Sequence, residues 1–305
     1  MDKIKVLLHS LWYPFTLTTY FKKALERRDD IELKLVGVST GAYQPYNNGM
    51  QMPLKYVVNP DIPLPYSITP DLKVDYNLVK AHLGGWKPDL IITGDAGVNW
   101  FEKPSDGYVV TVGTDPHVIN YNHARLVSDK FFNMQEVYSK PGDYYLPYAY
   151  DPEYHCDLGQ EREYDVAMIG LQYNERVQIA NELRNRGLKV LFSTGEVLDE
   201  YRKLNNKAKV GVNWASLDDL NARAFEIPMM GQIEVMKTVT DMKRMRHIYF
   251  RNTYNSTSIQ EIIRLTISVL DNYSNEKEIL KVMRKEMRNE TYDNRVTELL
   301  KESGF

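Results

Sequence analysis

The sequence predicts an α/β protein built from two Rossmann-like parallel-sheet domains. Short apolar, β-prone runs alternate with helical runs along most of the chain, which is the pattern of strands joined by crossover helices. The chain has 305 residues, more than one hydrophobic core usually supports, so two domains of about 150 residues are expected. Its 43% hydrophobic and 26% charged residues are ordinary for a soluble globular protein.

Charge and cysteine content indicate which partners and which cellular compartment to expect. The net charge of −3 gives no overall attraction to nucleic acid or to an anionic membrane, although it does not exclude a local basic patch. The single cysteine, Cys156, cannot form an intrachain disulfide and indicates a reducing compartment. The first residues show no secretory pattern, and no apolar stretch approaches the roughly 20 residues of a membrane span. We therefore expect a cytoplasmic protein with no membrane span.

The first half of the chain reads as short strands with few helices between them. Strands are expected at residues 4–10, 31–38, 88–95, 108–117, 131–138 and 144–148, and helices at 16–27 and 74–83. The loop after the first strand lacks the glycines of a dinucleotide phosphate loop, so this domain is not expected to hold a nucleotide. Its aromatic residues Trp12, Tyr13 and Phe15 either line an acceptor site or belong to the core.

Two successive strands of this half end in polar residues. Asp95 follows an apolar run that begins at Pro88, and Asp115 with His117 follows the run that begins at Tyr108. Because parallel strands end at the same edge of a sheet, these side chains are candidates for acid–base chemistry there. The alternative is that each belongs to an ordinary loop.

The second half alternates more regularly between the two kinds of run. Strands are expected at residues 166–170, 188–193, 208–214, 232–238 and 247–251, and helices at 174–186, 201–207, 220–230, 258–273, 276–289 and 293–303. We place the N-terminal domain at residues 1–155 and the C-terminal domain at 156–285. A last helical segment, residues 286–305, is expected to pack back on the first domain.

The stretch from Val212 to Gly231 organises the second half. It joins a β-prone run to a helical run through a polar segment, and a second β-prone run follows it. Asp218 or Asp219 is expected to cap the helix. A helix held between two buried strands begins at the carboxyl edge of a parallel sheet, where open α/β folds bind ligands.

The first turns of this helix carry Asn221, Arg223 and Glu226. Arg223 and Glu226 are three residues apart and therefore share a face. An arginine at a helix N-terminus suits a diphosphate, and a carboxylate one turn deeper can accept hydrogen bonds from a sugar diol. The combination predicts a nucleotide-sugar pocket; the alternative is a solvated surface ion pair.

Other strand ends of this half contribute further candidates for the nucleotide site. Gly170 ends a strand and lets the chain approach a phosphate closely, with Arg176 at the start of the next helix. Thr194 lies where a base can sit, and Asn213 ends the strand before the central stretch. For Gly170, an ordinary strand–helix turn is the alternative.

Five blocks of the sequence resemble the CgeB-like (spore-maturation type) glycosyltransferases. The first, residues 220–227, reads LNARAFEI and resembles their signature LNxRxFE. The others are YLPYAYDPEYH at residues 145–155, YDVAMIG at 164–170, KVGVN at 209–213 and TYDNR at 291–295. The blocks come in the family's order, and the resemblance covers residues 107–300 better than the first hundred.

This resemblance implies a GT-B fold, in which two Rossmann-like domains face each other across a cleft. The C-terminal domain would bind a nucleoside-diphosphate sugar, with a UDP-sugar as the expected donor, and the N-terminal domain an acceptor. No permanently bound cofactor and no metal is expected. The resemblance also implies that His117 lies near the reacting carbon, with Asp115 and Asp95 as partners of the acceptor hydroxyl or as the base.

Two pairs of acidic residues have the spacing known from family-four glycosyltransferases, with seven residues between the carboxylates. Glu234 lies inside the expected strand that follows the helix, so we do not take Glu226 and Glu234 as the functional pair. Asp218 and Glu226 have the same spacing with the required placement. Asp218 would then lie near the sugar and Glu226 at the ribose.

Three alternatives for the function stay open from the sequence. A phage-type glycosyltransferase would modify a base flipped out of DNA, and a basic patch on the first domain would favour it. A non-catalytic nucleotide-sugar binding protein and an epimerase are compatible with the same fold. The acceptor (a glycan, a small molecule or DNA), the stereochemical outcome and the oligomeric state are left open.

Overall fold

The computed structural model describes residues 2–14, 16–44, 50–65, 73–94, 97–243 and 254–305. The chain divides into two compact units, which we call unit 1 (residues 1–147 and 292–305) and unit 2 (residues 148–291). The sequence placed the first boundary at residue 155 and the second at residue 285, whereas the structure divides the chain after Pro147 and before Tyr292.

Unit 1 contains a seven-stranded sheet whose paired strands are all parallel. The strands of this unit are β1 (Ile4–His9), β2 (Ile31–Gly37), β3 (Tyr43–Gln44), β4 (Met50–Gln51), β5 (Ile62–Pro63), β6 (Lys73–Val74), β7 (Leu90–Gly94), β8 (Asn99–Trp100), β9 (Tyr108–Gly113), β10 (Lys130–Asn133) and β11 (Tyr144–Tyr145). The large sheet has the order β11-β10-β9-β7-β1-β2-β5, and the short strands form the pairs β3-β4 and β6-β8.

Unit 2 contains a five-stranded parallel sheet. Its strands are β12 (Tyr164–Ile169), β13 (Val190–Ser193), β14 (Ala208–Asn213), β15 (Ile233–Lys237) and β16 (Tyr254–Ser256). The order is β13-β12-β14-β15-β16. The chain leaves β12 on one side to form β13 and returns on the other to form β14, so a topological switch point lies between the ends of β12 and β14.

The helices of both units follow the strands in the α/β manner. They are α1 (Thr18–Glu26), α2 (Tyr76–His82), α3 (Asn122–Leu126), α4 (Asn174–Asn185), α5 (Leu198–Asn205), α6 (Arg223–Met229), α7 (Ile259–Asp271), α8 (Tyr273–Met287) and α9 (Tyr292–Glu302). Across the residues that the structure describes, no helix combines the length and apolarity needed to cross a membrane.

The central strands are apolar on both faces because helices or loops cover both sides of a parallel sheet. In unit 1, Leu7, Ile91 and Val109 of the three central strands share one buried cluster. In unit 2, residues of β12, β14 and β15 share another with apolar residues of α4, α7 and α8. Burial of these side chains, at about 25 cal/mol for each Å² of apolar surface, is what holds the sheets in place.

The C-terminal helix α9 belongs to unit 1 although it follows unit 2 in the sequence. The ring of Tyr292 stacks on Tyr20 of α1 at 5.0 Å between centroids and meets Phe21 edge-on at 5.5 Å. Arg27, directly after α1, donates to both oxygens of Asp293, from Nε at 2.7 Å and from an Nη nitrogen at 3.0 Å. An apolar contact and a bidentate ion pair thus attach the chain end to the first helix.

Aromatic residues after β1 lie in the core. Trp12 is fully buried, with its Nε1 donating to the Val36 carbonyl at 2.9 Å, and Tyr13 is buried as well. These two side chains therefore belong to the core, which is one of the two alternatives that the sequence left open for them. Phe15 lies outside the described residues.

Several element boundaries differ from those expected. The helix expected at residues 220–230 begins only at Arg223, and the strand expected at 131–138 ends at Asn133 and is followed by a 3₁₀ turn at Glu136–Tyr138. The strand expected at residues 247–251 lies outside the described residues.

Gly231, two residues after the end of α6, is expected to be a stability-determining position. It has φ +79°, and a Cβ there would collide with the carboxylate of Asp157 and lie 2.5 Å from Nη2 of Arg162. Gly231→Ala should lower the free energy of unfolding of unit 2 by about 1–2 kcal/mol through the left-handed backbone. Overpacking should add about 1–3 kcal/mol. Urea denaturation followed by circular dichroism measures the loss.

The matched control is Gly187→Ala, also in unit 2. Gly187 has φ +84° but open space where a Cβ would lie, so this variant carries the backbone strain without the collision. An equal loss of stability in the two variants would show that the contacts with Asp157 and Arg162 do not matter.

Candidate functional site

Two arginines converge where β12 ends in unit 2. Gly170 follows this strand with φ +139°, and a Cβ on it would collide with Nη2 of Arg223 and lie 3.3 Å from Nη1 of Arg176. The absent side chain therefore leaves the room that the two guanidinium groups occupy. Glycine is required here both by its backbone conformation and by this close approach.

Arg176, in the first turn of α4, is buried and bridges two strand ends. Its Nε donates to the Trp214 carbonyl at 2.8 Å, and its Nη1 donates to the Leu171 carbonyl at 2.9 Å. Burial, and next the charge of Arg223, lower the pKa of Arg176 to about 10. The group therefore stays protonated at neutral pH in spite of its neighbour.

Arg223 is the first residue of α6 and reaches back to β12. Its Nε donates to the Ile169 carbonyl at 3.0 Å. Within the described part of the chain, both guanidinium groups are held by backbone carbonyls rather than by carboxylates. The two positive charges repel each other, an effect that the carboxylates of Asp219 and Glu175 oppose at Arg176. An anion between the guanidinium groups would relieve the repulsion directly. The arrangement is suited to a phosphate or diphosphate, which guanidinium groups bind through paired hydrogen bonds.

These groups line a small recess at the switch point of the sheet, with a cavity volume of about 10 Å³. Its lining includes four of the predicted site residues: Gly170, Arg176, Asn213 and Arg223. Thr194 is attached to the same edge because its Oγ1 donates to the Gly170 carbonyl at 2.8 Å. The sequence thus indicated residues that the fold brings together.

The N-cap position of α6 is Ala222, and the side chain that accepts from the first helical N–H is that of Asn221 rather than an aspartate. The Oδ1 of Asn221 accepts from the Arg223 N–H at 3.1 Å. Asn221 and Asn213 also exchange amide hydrogen bonds at 3.0 and 3.1 Å, which ties the helix start to the end of β14. The prediction that Asp218 or Asp219 caps the helix is wrong, because the helix begins only at residue 223.

Asp218 instead ties its loop to the chain after β15. Its Oδ1 accepts from the Thr240 N–H at 2.7 Å, and its Oδ2 accepts from the Thr240 hydroxyl. Asp218 is not among the residues that line the arginine pocket. Since α6 has only seven residues, the positive character of this edge comes from the two arginines more than from a helix dipole.

Glu226 is buried and does not form the surface ion pair with Arg223 that the sequence left as an alternative. Its Oε2 accepts from the Tyr201 hydroxyl at 3.0 Å, and its Oε1 lies 3.5 Å from Nε2 of His155. The sequence reasoning did not single out Tyr201 or His155. The one available signal was the position of His155 as the last residue of the block at residues 145–155.

Glu234 lies inside β15 and is fully buried, as its place in a β-prone run predicts. Its Oε1 accepts from Nδ2 of Asn213 at 3.0 Å. This carboxylate therefore holds the side chain of Asn213, which lines the pocket, without lining the pocket itself.

Two of the candidates in unit 1 lie after β9. Asp115 has φ +49°, an uncommon conformation for a residue with a side chain, and His117 is exposed with its ring 5.7 Å from that of Tyr138. The residues that line an open pocket of about 270 Å³ include His117, Tyr138 and Lys140. Asp95, the third candidate, lies outside the described residues.

A metal centre was not expected from the sequence. Within the described residues, no group of three or more histidine, cysteine, aspartate or glutamate side chains is placed to hold a metal ion.

Solved structures share this fold over the whole chain, whereas no protein-family model and no curated relative matches the sequence. One similar structure is an α-glucosyltransferase solved with UDP and a 13-mer DNA (TM-score 0.62, 10% identity, 100% of each chain covered). Another is sucrose-phosphate synthase from Thermosynechococcus elongatus (TM-score 0.60, 11% identity, 98% of each chain). A UDP-N-acetylglucosamine 2-epimerase is also similar (TM-score 0.52, 13% identity, 99% of this chain and 97% of that one). The two parallel sheets and these likenesses establish the GT-B fold, with two Rossmann-like domains.

Proposed function

We propose that this chain is a glycosyltransferase that moves a sugar from a nucleoside-diphosphate donor to an acceptor hydroxyl. The observation that carries the proposal is the convergence of Arg176 and Arg223 at Gly170, at the switch point where α/β sheets bind nucleotides. The similar structures support it, since they include an α-glucosyltransferase solved with UDP-glucose. UDP-sugars are accordingly the proposed donors.

The proposed reaction breaks the bond between the anomeric carbon and the diphosphate oxygen. The diphosphate leaves with the electron pair, and the acceptor oxygen forms the new bond and loses its proton. Arg176 and Arg223 would neutralise the negative charge that develops on the leaving group, which requires no metal ion. Because both are already held by carbonyl oxygens, little reorganisation is needed as the charge develops.

The remaining predicted residues take supporting roles in this proposal. Thr194 and the loop around it would border the nucleobase, and Asn221 would donate to the phosphate or the sugar. Asn213 would hold Asn221 in place, since its own amide hydrogens go to Asn221 and Glu234. Asp218 holds its loop to Thr240. It would therefore affect sugar binding by positioning that loop rather than by contacting the sugar. In unit 1, His117 would lie near the reacting carbon, and Asp115 or Asp95 would be the partner of the acceptor hydroxyl or the base that takes its proton. Within the GT-B glycosyltransferases, the five sequence blocks favour a CgeB-like enzyme.

Glu226 is proposed to accept the ribose hydroxyls. Glu226→Gln keeps the size of the side chain but removes its charge, so it should weaken UDP binding by about 1.5–3 kcal/mol, the range for a hydrogen bond to a charged group. Isothermal titration calorimetry measures this. The matched control is Glu234→Gln, which changes another buried carboxylate of the same unit. The glutamine oxygen can still accept from Asn213, so the affinity should stay nearly unchanged. Equal losses of affinity in the two variants would indicate that the functional pair is Glu226 and Glu234 rather than Asp218 and Glu226.

Turnover without an acceptor separates the three classes of function. We expect slow release of UDP and free sugar when the chain is incubated with UDP-sugars, because water can replace the acceptor. An epimerase would instead interconvert sugar isomers, and a non-catalytic binding protein would bind the donor without consuming it. Chromatography of the reaction mixture distinguishes these outcomes.

A base in DNA is the second candidate acceptor. It is favoured by the likeness to α-glucosyltransferase structures solved with DNA, which cover 99–100% of this chain. The net charge of −3 opposes it, since non-specific DNA binding rests on positive charge. Transfer of labelled sugar to duplex DNA containing hydroxymethylated bases tests this candidate, with unmodified duplex as the control.

A further inference from the structure

Three segments of unit 2 bring His155, Tyr201 and Glu226 together away from solvent. Glu226 belongs to α6, Tyr201 to α5 and His155 to the turn that follows Tyr154. His155 and Glu226 are both buried. The Tyr201 hydroxyl lies 3.0 Å from one carboxylate oxygen, and the His155 Nε2 lies 3.5 Å from the other. A buried carboxylate with a partner on each oxygen is held in one orientation.

The backbone fixes which nitrogen of His155 carries the proton. The Asp151 N–H donates to Nδ1 of His155 at 2.9 Å, so Nδ1 acts as an acceptor and the ring proton lies on Nε2. Burial lowers the pKa of His155, so the ring is neutral at pH 7. The protonated Nε2 of the neutral ring therefore faces Glu226, 3.5 Å from its carboxylate oxygen Oε1.

The turn that carries His155 is itself firmly held. The His155 N–H donates to the Asp151 carbonyl at 2.8 Å, and Asp151 Oδ1 accepts from the Glu153 N–H at 2.9 Å. Arg202, next to Tyr201 in α5, donates to the Glu153 carbonyl at 2.5 Å. The histidine thus cannot change its position without breaking several hydrogen bonds.

Tyr201 supplies the second donor. Burial and the neighbouring charge of Glu226 raise the pKa of Tyr201 well above its ordinary value, so its hydroxyl stays protonated and donates to Oε2. An ionised carboxylate has about four acceptor positions, two on each oxygen. One position on each oxygen is directed to protein, which leaves one on each for another pair of donors. A vicinal diol offers two O–H donors of that kind.

We infer that His155 and Tyr201 are positioning residues that orient the Glu226 carboxylate to bind the ribose diol of the donor nucleotide. This inference rests on the proposed function, since it concerns the same nucleotide site. It assigns a role to the last residue of the block at residues 145–155, which the proposed function left without one. Holding the carboxylate in advance reduces the entropy cost of binding, which is how such residues increase affinity.

The test compares UDP with 2′,3′-dideoxy-UDP by isothermal titration calorimetry, in the intact chain and in Tyr201→Phe. The intact chain should prefer the ribose form by roughly tenfold or more, the equivalent of one hydrogen bond of about 1.4 kcal/mol. Tyr201→Phe should lower the affinity for UDP severalfold and leave the affinity for the dideoxy form unchanged. The ratio of the two affinities, which a merely structural role would not alter, should therefore fall.

His155 provides a second variant and a rescue. His155→Leu removes the donor and should reduce the same ratio, whereas His155→Gln keeps an N–H donor and should restore part of it. The matched control is Tyr254→Phe, which removes a tyrosine hydroxyl bonded to Glu276 in the same unit. This control should keep the ratio of the intact chain.

The outcomes separate the inference from the proposed function. UDP binding that depends on Arg223 but shows no preference for ribose would overturn the inference and leave the proposed function standing. Equal weakening of both nucleotides in Tyr201→Phe and in both His155 variants would also overturn the inference, because the cluster would then be structural only. Absence of any nucleotide binding by the intact chain would overturn both.

Discussion

Replacing His117 by alanine should lower the turnover number of sugar transfer by about 10²–10⁴-fold, the contribution of a positioned acid, base or polar group. His117 is exposed in unit 1, after β9, so the substitution removes no core contact. Nucleotide affinity should be nearly unchanged, because the proposed nucleotide site belongs entirely to unit 2. Steady-state kinetics together with a separate UDP titration measure the two quantities.

The matched control for His117 is His82→Ala. His82 is another exposed histidine of unit 1, and its Nδ1 contacts the Leu78 carbonyl of its own helix at 2.8 Å. The control should keep full activity. Full activity in His117→Ala would remove this residue from the reaction and leave Asp115 and Asp95 as the candidates. A melting temperature lowered by several degrees would show that His117 has a structural role.

Replacing Arg223 by lysine should weaken binding of UDP by about 1.5–3 kcal/mol, or about 10–150-fold. Lysine keeps the positive charge but loses the planar fork that binds two phosphate oxygens at once. It also loses the Nε–H that donates to the Ile169 carbonyl and holds the guanidinium in place. Isothermal titration calorimetry with UDP measures the change.

The matched control for Arg223 is Arg264→Lys. Arg264 is an exposed arginine of α7 in the same unit, paired with Glu261, and its replacement should leave UDP affinity unaltered. If Arg223→Lys binds UDP as tightly as the intact chain, the arginine is structural. An anion site would then no longer explain why the like-charged side chains of Arg223 and Arg176 lie close together.

The sequence predicted the fold and the centre of the candidate site because both depend on local patterns. The alternation of β-prone and helical runs follows from hydrophobic periodicity, and strand ends can be read from where each apolar run stops. Four residues of the candidate site follow or end such runs: Gly170, Arg176, Asn213 and Arg223. The topology of a parallel sheet then brings the strand ends together at one edge.

What the sequence did not predict depends on contacts between distant residues. Tyr201 and His155 meet Glu226 across 25 and 71 positions of the chain, and nothing local in α5 marks its tyrosine as a partner. The helix start was misplaced for a similar reason. Asp218 is a favourable capping residue by type, but its two hydrogen bonds with Thr240, on the loop after β15, take it away from the helix.

A crystal structure of the chain with UDP tests the central claim most directly. We expect the diphosphate at Gly170, with phosphate oxygens at about 2.7–2.9 Å from nitrogens of both Arg176 and Arg223, the distance of charge-assisted hydrogen bonds. A diphosphate bound elsewhere in the chain, with both guanidinium groups still held only by backbone carbonyls, would contradict that claim.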